Sequence, residues 1–122
     1  MRLGTDIIEI DRIKKAIDRS ERFRQRVYTE REVAYCESKL TGSYQSYAGI
    51  YAAKEAFLKA LGTGLRYGSW HDIEVCHDEF GAPFLSITGA FKKIIQERMY
   101  TECIVSISHC RSYAMSTVII EG

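Results

Sequence analysis

Leu3, Thr5, Ile7 and Glu9 alternate with Gly4, Asp6, Ile8 and Ile10, a period of two that predicts a strand over residues 2–10. Asp6 falls on the more apolar of its two faces. From Asp11 the period changes: Ile13, Ala16 and Ile17 recur at helical spacing, with Asp11 placed to cap the helix start. Thr29-Glu30-Arg31-Glu32 has the form of a capping box, in which a hydroxyl and a carboxylate three residues apart satisfy each other's free N–H groups. It predicts a helix from about Glu30 to Lys39.

The longest helical pattern starts near Ser43 and stops at Gly62-Thr63-Gly64, where glycine can take the left-handed conformation that ends a helix. Its apolar stripe is Tyr47, Ile50, Tyr51, Phe57, Leu58 and Leu61. Beside it run Ala48, Ala52, Glu55, Lys59 and Gly62, a face whose small residues permit close approach to an acid and a base. Asp72 to Cys76 and Pro83 to Ile87 alternate as strands around an Asp78-Glu79-Phe80-Gly81 turn. Gly89 to Met99 returns to helical spacing, and Cys103 to His109 with Tyr113 to Ile120 forms a closing hairpin. No linker, repeat or low-complexity segment interrupts the pattern. The expectation is one α+β domain over residues 1–122, a mainly antiparallel sheet packed against a long central helix.

Composition narrows the function classes. A 122-residue chain with 46% apolar and 27% charged residues is an ordinary globular composition, not a disordered or collagen-like one. No apolar run reaches membrane-spanning length and the first residues lack the apolar core of a secretory signal, so a cytoplasmic location is expected. Cys36, Cys76, Cys103 and Cys110 form no CxxC pair and suit reduced thiols better than a structural zinc site. His71 and His77 read as loop and strand residues.

Five features could carry chemistry. An ionised carboxylate on a buried strand face is costly without a neutralising partner, so Asp6 calls either for a metal ion or for backbone N–H donors. Glu55 and Lys59 are spaced as an i,i+4 ion pair, which on a solvated helix contributes only about 0.3–0.5 kcal/mol. The glycine-rich end at Gly62-Thr63-Gly64 could offer N–H groups to a phosphate, although the end of a helix is the wrong pole for an anion. Between Asp11 and Arg26, seven basic residues face three acids, an excess of four positive charges on a chain of net charge +1. An acidic protein or a nucleic acid would satisfy that patch, and a non-catalytic module binding either one through residues 12–26 is the competing reading. His109 closes a strand face of Cys103, Val105 and Ile107, a position for a packed residue or a ligand.

Taken together, several segments resemble one family, the holo-acyl-carrier-protein synthases, the small bacterial 4′-phosphopantetheinyl transferases. They are Gly4-Thr5-Asp6-Ile7-Ile8-Glu9-Ile10 with Arg12-Ile13, Arg26-Val27-Tyr28-Thr29 with Glu32, and the run from Tyr51 to Gly64 containing Ala52-Ala53-Lys54-Glu55. Asp78 to Pro83, Ser106-Ile107-Ser108-His109 and Tyr113-Ala114 complete the set in family order. The resemblance implies transfer of 4′-phosphopantetheine from coenzyme A to a serine of apo acyl carrier protein. Asp6 and Glu55 would hold Mg²⁺, with Lys59 beside it as a catalytic cation. Lys59, Gly62, Thr63, Gly64 and His109 would line the coenzyme A site, and Arg12, Arg19, Arg22 and Phe23 would meet the carrier protein. It implies a homotrimer with active sites between subunits, so that Asp6 and Glu55 could come from different chains, and no nucleic-acid or membrane partner. This chain departs from many members in carrying Ile50 where they have arginine.

Overall fold

The structure, a computed structural model, describes residues 1–122. In chain order its elements are β1 (Arg2–Glu9), α1 (Ile10–Arg19), α2 (Glu21–Val27), α3 (Glu30–Glu37), α4 (Ser43–Leu61), β2 (Ile73–His77), β3 (Pro83–Ile87), α5 (Gly89–Glu97), β4 (Glu102–His109) and β5 (Tyr113–Glu121). Single 3₁₀ turns, Leu40–Gly42 and Trp70–Asp72, precede α4 and β2. All strand pairs are antiparallel. One sheet has the order β1-β5-β4, and β2 and β3 form a separate hairpin. The α+β expectation therefore holds, with two sheets in place of one.

α4 is the axis of the core. Tyr47, Ile50, Phe57 and Leu61 are buried along it, and so are Ala48, Ala52, Ala53, Ala56 and Ala60. A helix buried on nearly every side has neighbours all round. Here β1 and β5 cover one side, α1 and α3 another, and β2 a third. The small-residue stripe expected to admit a close neighbour does so at its edge. A Cβ added to Gly4 would lie 2.0 Å from Ala56 O and 2.5 Å from Ala60 N, so only glycine lets β1 sit this near the α4 backbone.

The capping box forms as expected. Thr29 Oγ1 accepts from Glu32 N at 3.2 Å, and Glu32 Oε1 accepts from Thr29 N at 2.8 Å. Glu32 does more than cap. It takes a bond from Val75 N at 2.7 Å through its other oxygen and one from Lys54 Nζ at 2.7 Å, with both side chains wholly buried. Lys54 Nζ spends its remaining protons on Val27 O at 2.6 Å and Trp70 O at 3.0 Å. This knot ties the end of α2, the start of α3, the middle of α4 and β2 together, and it gives Lys54 a structural role.

Two local expectations fail. Asp11 is not a cap: Glu9 occupies that position without a side-chain bond, and Asp11 pairs with Lys15 in the first turn. The basic segment is also two helices, because Ser20 leaves helical geometry at φ −150° and its hydroxyl caps α2 by accepting from Phe23 N. Smaller differences are boundaries. α3 ends at Glu37, α5 at Glu97, and β2 begins at Ile73.

Candidate active site

β1 and α4 build the site between them. Asp6 lies on the same strand face as the buried Gly4 and Ile8, and its side chain is turned toward α4 with 13% exposure. Glu55 and Lys59 occupy successive turns of α4, one half-buried and the other exposed. They do not form the i,i+4 pair that their spacing suggests. Lys59 Nζ reaches across to β1 instead, donating to Asp6 Oδ1 at 2.9 Å and to Thr5 O at 3.1 Å. The physical reason is proximity. With no side chain at Gly4 the strand is close enough to compete, and it offers a carboxylate and a carbonyl together.

Glu55 is left without a counter-charge of its own. Burial raises its pKa above the ordinary 4.5, the Asp6 charge raises it further, and Lys59 only partly offsets both. Lys59, one turn from Glu55 on α4, bonds Asp6 of β1 at 2.9 Å, so a single chain carries both carboxylates to the same seam. No group of three or more His, Cys, Asp and Glu side chains is arranged to hold a metal. Two carboxylates beside a solvent-facing lysine nonetheless match the habit of a hard divalent cation that takes one or two protein oxygens and completes its shell with water and phosphate. A cation between them would relieve the repulsion that raises Glu55.

Above Glu55, Tyr51 packs between Phe23 and Trp70 with ring centroids 6.5 and 5.5 Å away. Its hydroxyl is pushed up by burial first and by Glu55 next, while Arg12 and Arg26 pull it down. In the basic segment the three acids are consumed locally: Asp18 pairs with Lys14, Asp11 with Lys15 and Glu21 with Arg24. Arg12, Arg19, Arg22 and Arg26 remain exposed and outside any ion pair, which is the excess of four found by counting. Phe23 is half-buried under this surface, edge-on to Tyr28 at 6.4 Å.

His109 is not with the Gly62-Thr63-Gly64 loop. It pairs in register with Ala114, which faces Ile8 of β1, whereas Arg2 lies beside Gly62 at the other end of that strand. Six residues of strand separate the two levels by about 20 Å. His109 instead lines a cavity of about 200 Å³ with Tyr35, Gln45, Ser46, Ile50 and His77, a cavity without lysine or arginine. Sequence reasoning missed Tyr51 as a neighbour of Glu55, although an i,i+4 spacing was there to suggest it.

Residues 2–118 match the family model of the 4′-phosphopantetheinyl transferase superfamily. The holo-[acyl-carrier-protein] synthase of Ruminiclostridium cellulolyticum is 45% identical over 122 residues, covering 98% of this chain and 91% of that protein. The synthase of Clostridium tetani is 46% identical over 120 residues, covering 98% and 94%. The chain belongs to the holo-acyl-carrier-protein synthases. Solved synthase structures agree in fold. That of Helicobacter pylori in complex with coenzyme A superposes with a TM-score of 0.86 at 30% identity, covering 98% of this chain and 99% of that one. The Neisseria meningitidis synthase gives 0.88 at 30% identity, covering 99% and 98%. No helix of this synthase is long and apolar enough to cross a membrane.

Proposed function

We propose that residues 1–122 act as one 4′-phosphopantetheinyl transferase domain, moving 4′-phosphopantetheine from coenzyme A to a serine hydroxyl of apo acyl carrier protein. In the step, the serine oxygen forms a bond to the pantetheine-side phosphorus. The bond from that phosphorus to the bridging oxygen breaks, adenosine 3′,5′-bisphosphate leaves, and the serine proton passes to an acceptor in the site. The observation that carries this reading is the contact of Asp6 on β1 with Lys59 on α4, one turn from Glu55, with Lys59 fixed between strand and helix.

Asp6 and Glu55 are the Mg²⁺ ligands in this reading, and the ion, when bound, supplies charge neutralisation for the pyrophosphate. Lys59 spends two of its three ammonium protons on Thr5 O and Asp6, which aims the side chain and leaves the third for a phosphoryl oxygen. The Gly62-Thr63-Gly64 loop receives phosphate through its N–H groups. Arg12, Arg19 and Arg22, unpaired on α1 and α2, dock the acidic face of the carrier protein, with Phe23 giving that surface an apolar edge.

Two observations support an assembly of subunits, for which a homotrimer is proposed. The outer face of the β1-β5-β4 sheet exposes Leu3, Ile7, Ile104, Tyr113 and Met115, an apolar face suited to a second copy of the chain. His109 also stands too far from Gly62-Thr63-Gly64 of its own chain to share one coenzyme A phosphate with it, so a neighbouring subunit would complete the site. The proposed location is the cytoplasm.

The test is the mass of apo acyl carrier protein incubated with coenzyme A and Mg²⁺. Addition of the phosphopantetheinyl group is expected with wild type and not with Asp6→Ala or Glu55→Ala. Labelling undiminished in both variants, or undiminished in the presence of a chelator, would remove the metal assignment. Native mass spectrometry tests the assembly, and a monomer would refute the shared site.

A further inference from the structure

The Gly62–Gly64 loop stands at the end of the 19-residue α4, where the last carbonyls concentrate about half an electron of negative charge. That is unfavourable ground for a phosphate, yet the loop is built like an anion receptor. Gly62 and Gly64 are both left-handed, at φ 82° and 60°. The N–H groups of Thr63, Gly64 and Leu65 donate to no protein acceptor. The buried Thr63 donates its hydroxyl to Gly64 O at 2.8 Å, which holds the loop's shape, and a Cβ on Gly64 would meet nothing within 4 Å. A run of free N–H groups around left-handed residues, with open space beside Gly64, is the kind of backbone that binds anions elsewhere.

Two arginines from distant parts of the chain cover the negative pole. Arg2 Nε donates to Ala60 O, and Arg98 Nη1 donates to Leu61 O at 2.9 Å. The Arg2 guanidinium lies over Gly62, with its Nη2 2.7 Å from where a Cβ would stand. Neither arginine is in an ion pair, since every pair in the molecule uses another cation. Each therefore brings a full positive charge and spends one donor of five.

We propose that Arg2 and Arg98 are positioning residues for a phosphate group of coenzyme A. By capping the last carbonyls of α4 they cancel its negative pole and turn the Gly62–Gly64 loop into a site that an anion can enter. The inference rests on the reading of that loop as part of the coenzyme A site, and it extends the set of residues beyond the loop to two side chains that act through it.

Calorimetric titration of the metal-loaded enzyme with coenzyme A tests it, using Arg2→Met, Arg98→Met, the lysine variants at both positions, and Gly64→Val. Each methionine variant is expected to raise the Kd for coenzyme A roughly three- to tenfold. The KM for carrier protein should stay unchanged, and Arg98→Lys should recover most of the loss. If Gly64→Val weakens coenzyme A binding while both methionine variants bind as wild type, the arginine proposal fails and the loop assignment stands. If Gly64→Val also binds as wild type, the loop assignment itself fails and takes the proposal with it. If the methionine variants lose thermal stability and weaken carrier protein and coenzyme A alike, the arginines are merely structural and the proposal is overturned.

Discussion

Replacing Gly4 by alanine should disable catalysis from a position that touches no substrate. The added Cβ would stand 2.0 Å from Ala56 O and 2.5 Å from Ala60 N, while ordinary contact begins at 3.4 Å. Both obstacles are main chain of a helix buried on nearly every side, so neither can swing aside. β1 must retreat by about 1.4 Å, the difference between the clash and an ordinary contact. Overpacking of this kind costs typically about 1–3 kcal/mol, and with immovable backbone the upper end is expected. For a chain of this size that lowers the melting temperature by roughly 10 °C. Asp6 is two residues along the same strand and moves with it, away from Glu55 and Lys59. A misplacement near 1 Å costs on the order of a hundredfold in rate. The assay is carrier-protein labelling at a temperature where a melting curve shows Gly4→Ala still folded, so that lost activity is not lost protein. A variant that melts with wild type and keeps its kcat/KM would refute the reasoning, because the strand would have been free to yield without disturbing the site.

Three further outcomes follow from the same contacts. Lys54→Met leaves Glu32 as a buried charge without its cation and should cost about 3–5 kcal/mol, read from the midpoint of urea denaturation; a change under about 1 kcal/mol would contradict the closed network. Because the Glu55 pKa is raised in the folded state, its contribution to stability is present below 4.5 and is lost as the pH rises through the raised value. Glu55→Gln should therefore gain on wild type in chelator between pH 4.5 and 7.5, and Mg²⁺ should reverse the order at the higher pH by stabilising wild type alone; an equal difference at both pH values in chelator would refute it. Arg19→Glu with Arg22→Glu should raise the KM for carrier protein about tenfold at low salt, with the effect shrinking as salt is added and the KM for coenzyme A unaltered. An equal loss for both substrates would show that the helix itself had been disrupted.

Elements whose causes are local were legible in the chain. The capping box at Thr29 and Glu32, the left-handed stop at Gly62, and the turn in which Asp78 Oδ1 accepts from Phe80 and Ala82 N are each fixed by residues a few positions apart. The site was legible as separate parts, and only the family resemblance joined them. Spacing along α4 suggested that Lys59 pairs with Glu55, because a helical pattern contains no information about a strand 53 residues away that offers a better acceptor. The structural role of Lys54 was hidden for the same reason: its partners Val27, Glu32 and Trp70 lie on other elements. The split of the basic segment at Ser20 was within reach of a local reading, since serine followed by glutamate is a common helix start. Continuous charge on both sides masked it.

The Lys54–Glu32 knot also bears on how such a sequence can drift. Glu32 accepts from Thr29 N, Val75 N and Lys54 Nζ, and Lys54 donates to Glu32 and two carbonyls, so the two side chains share one set of obligations. Any route that exchanges one of them first passes through a protein carrying an uncompensated interior charge, and the later substitution must supply new partners for four backbone groups at once. Exposed residues such as Lys14 and Lys15, whose partners lie one turn away on the same helix, can change one at a time, whereas Glu32 and Lys54 can change only together.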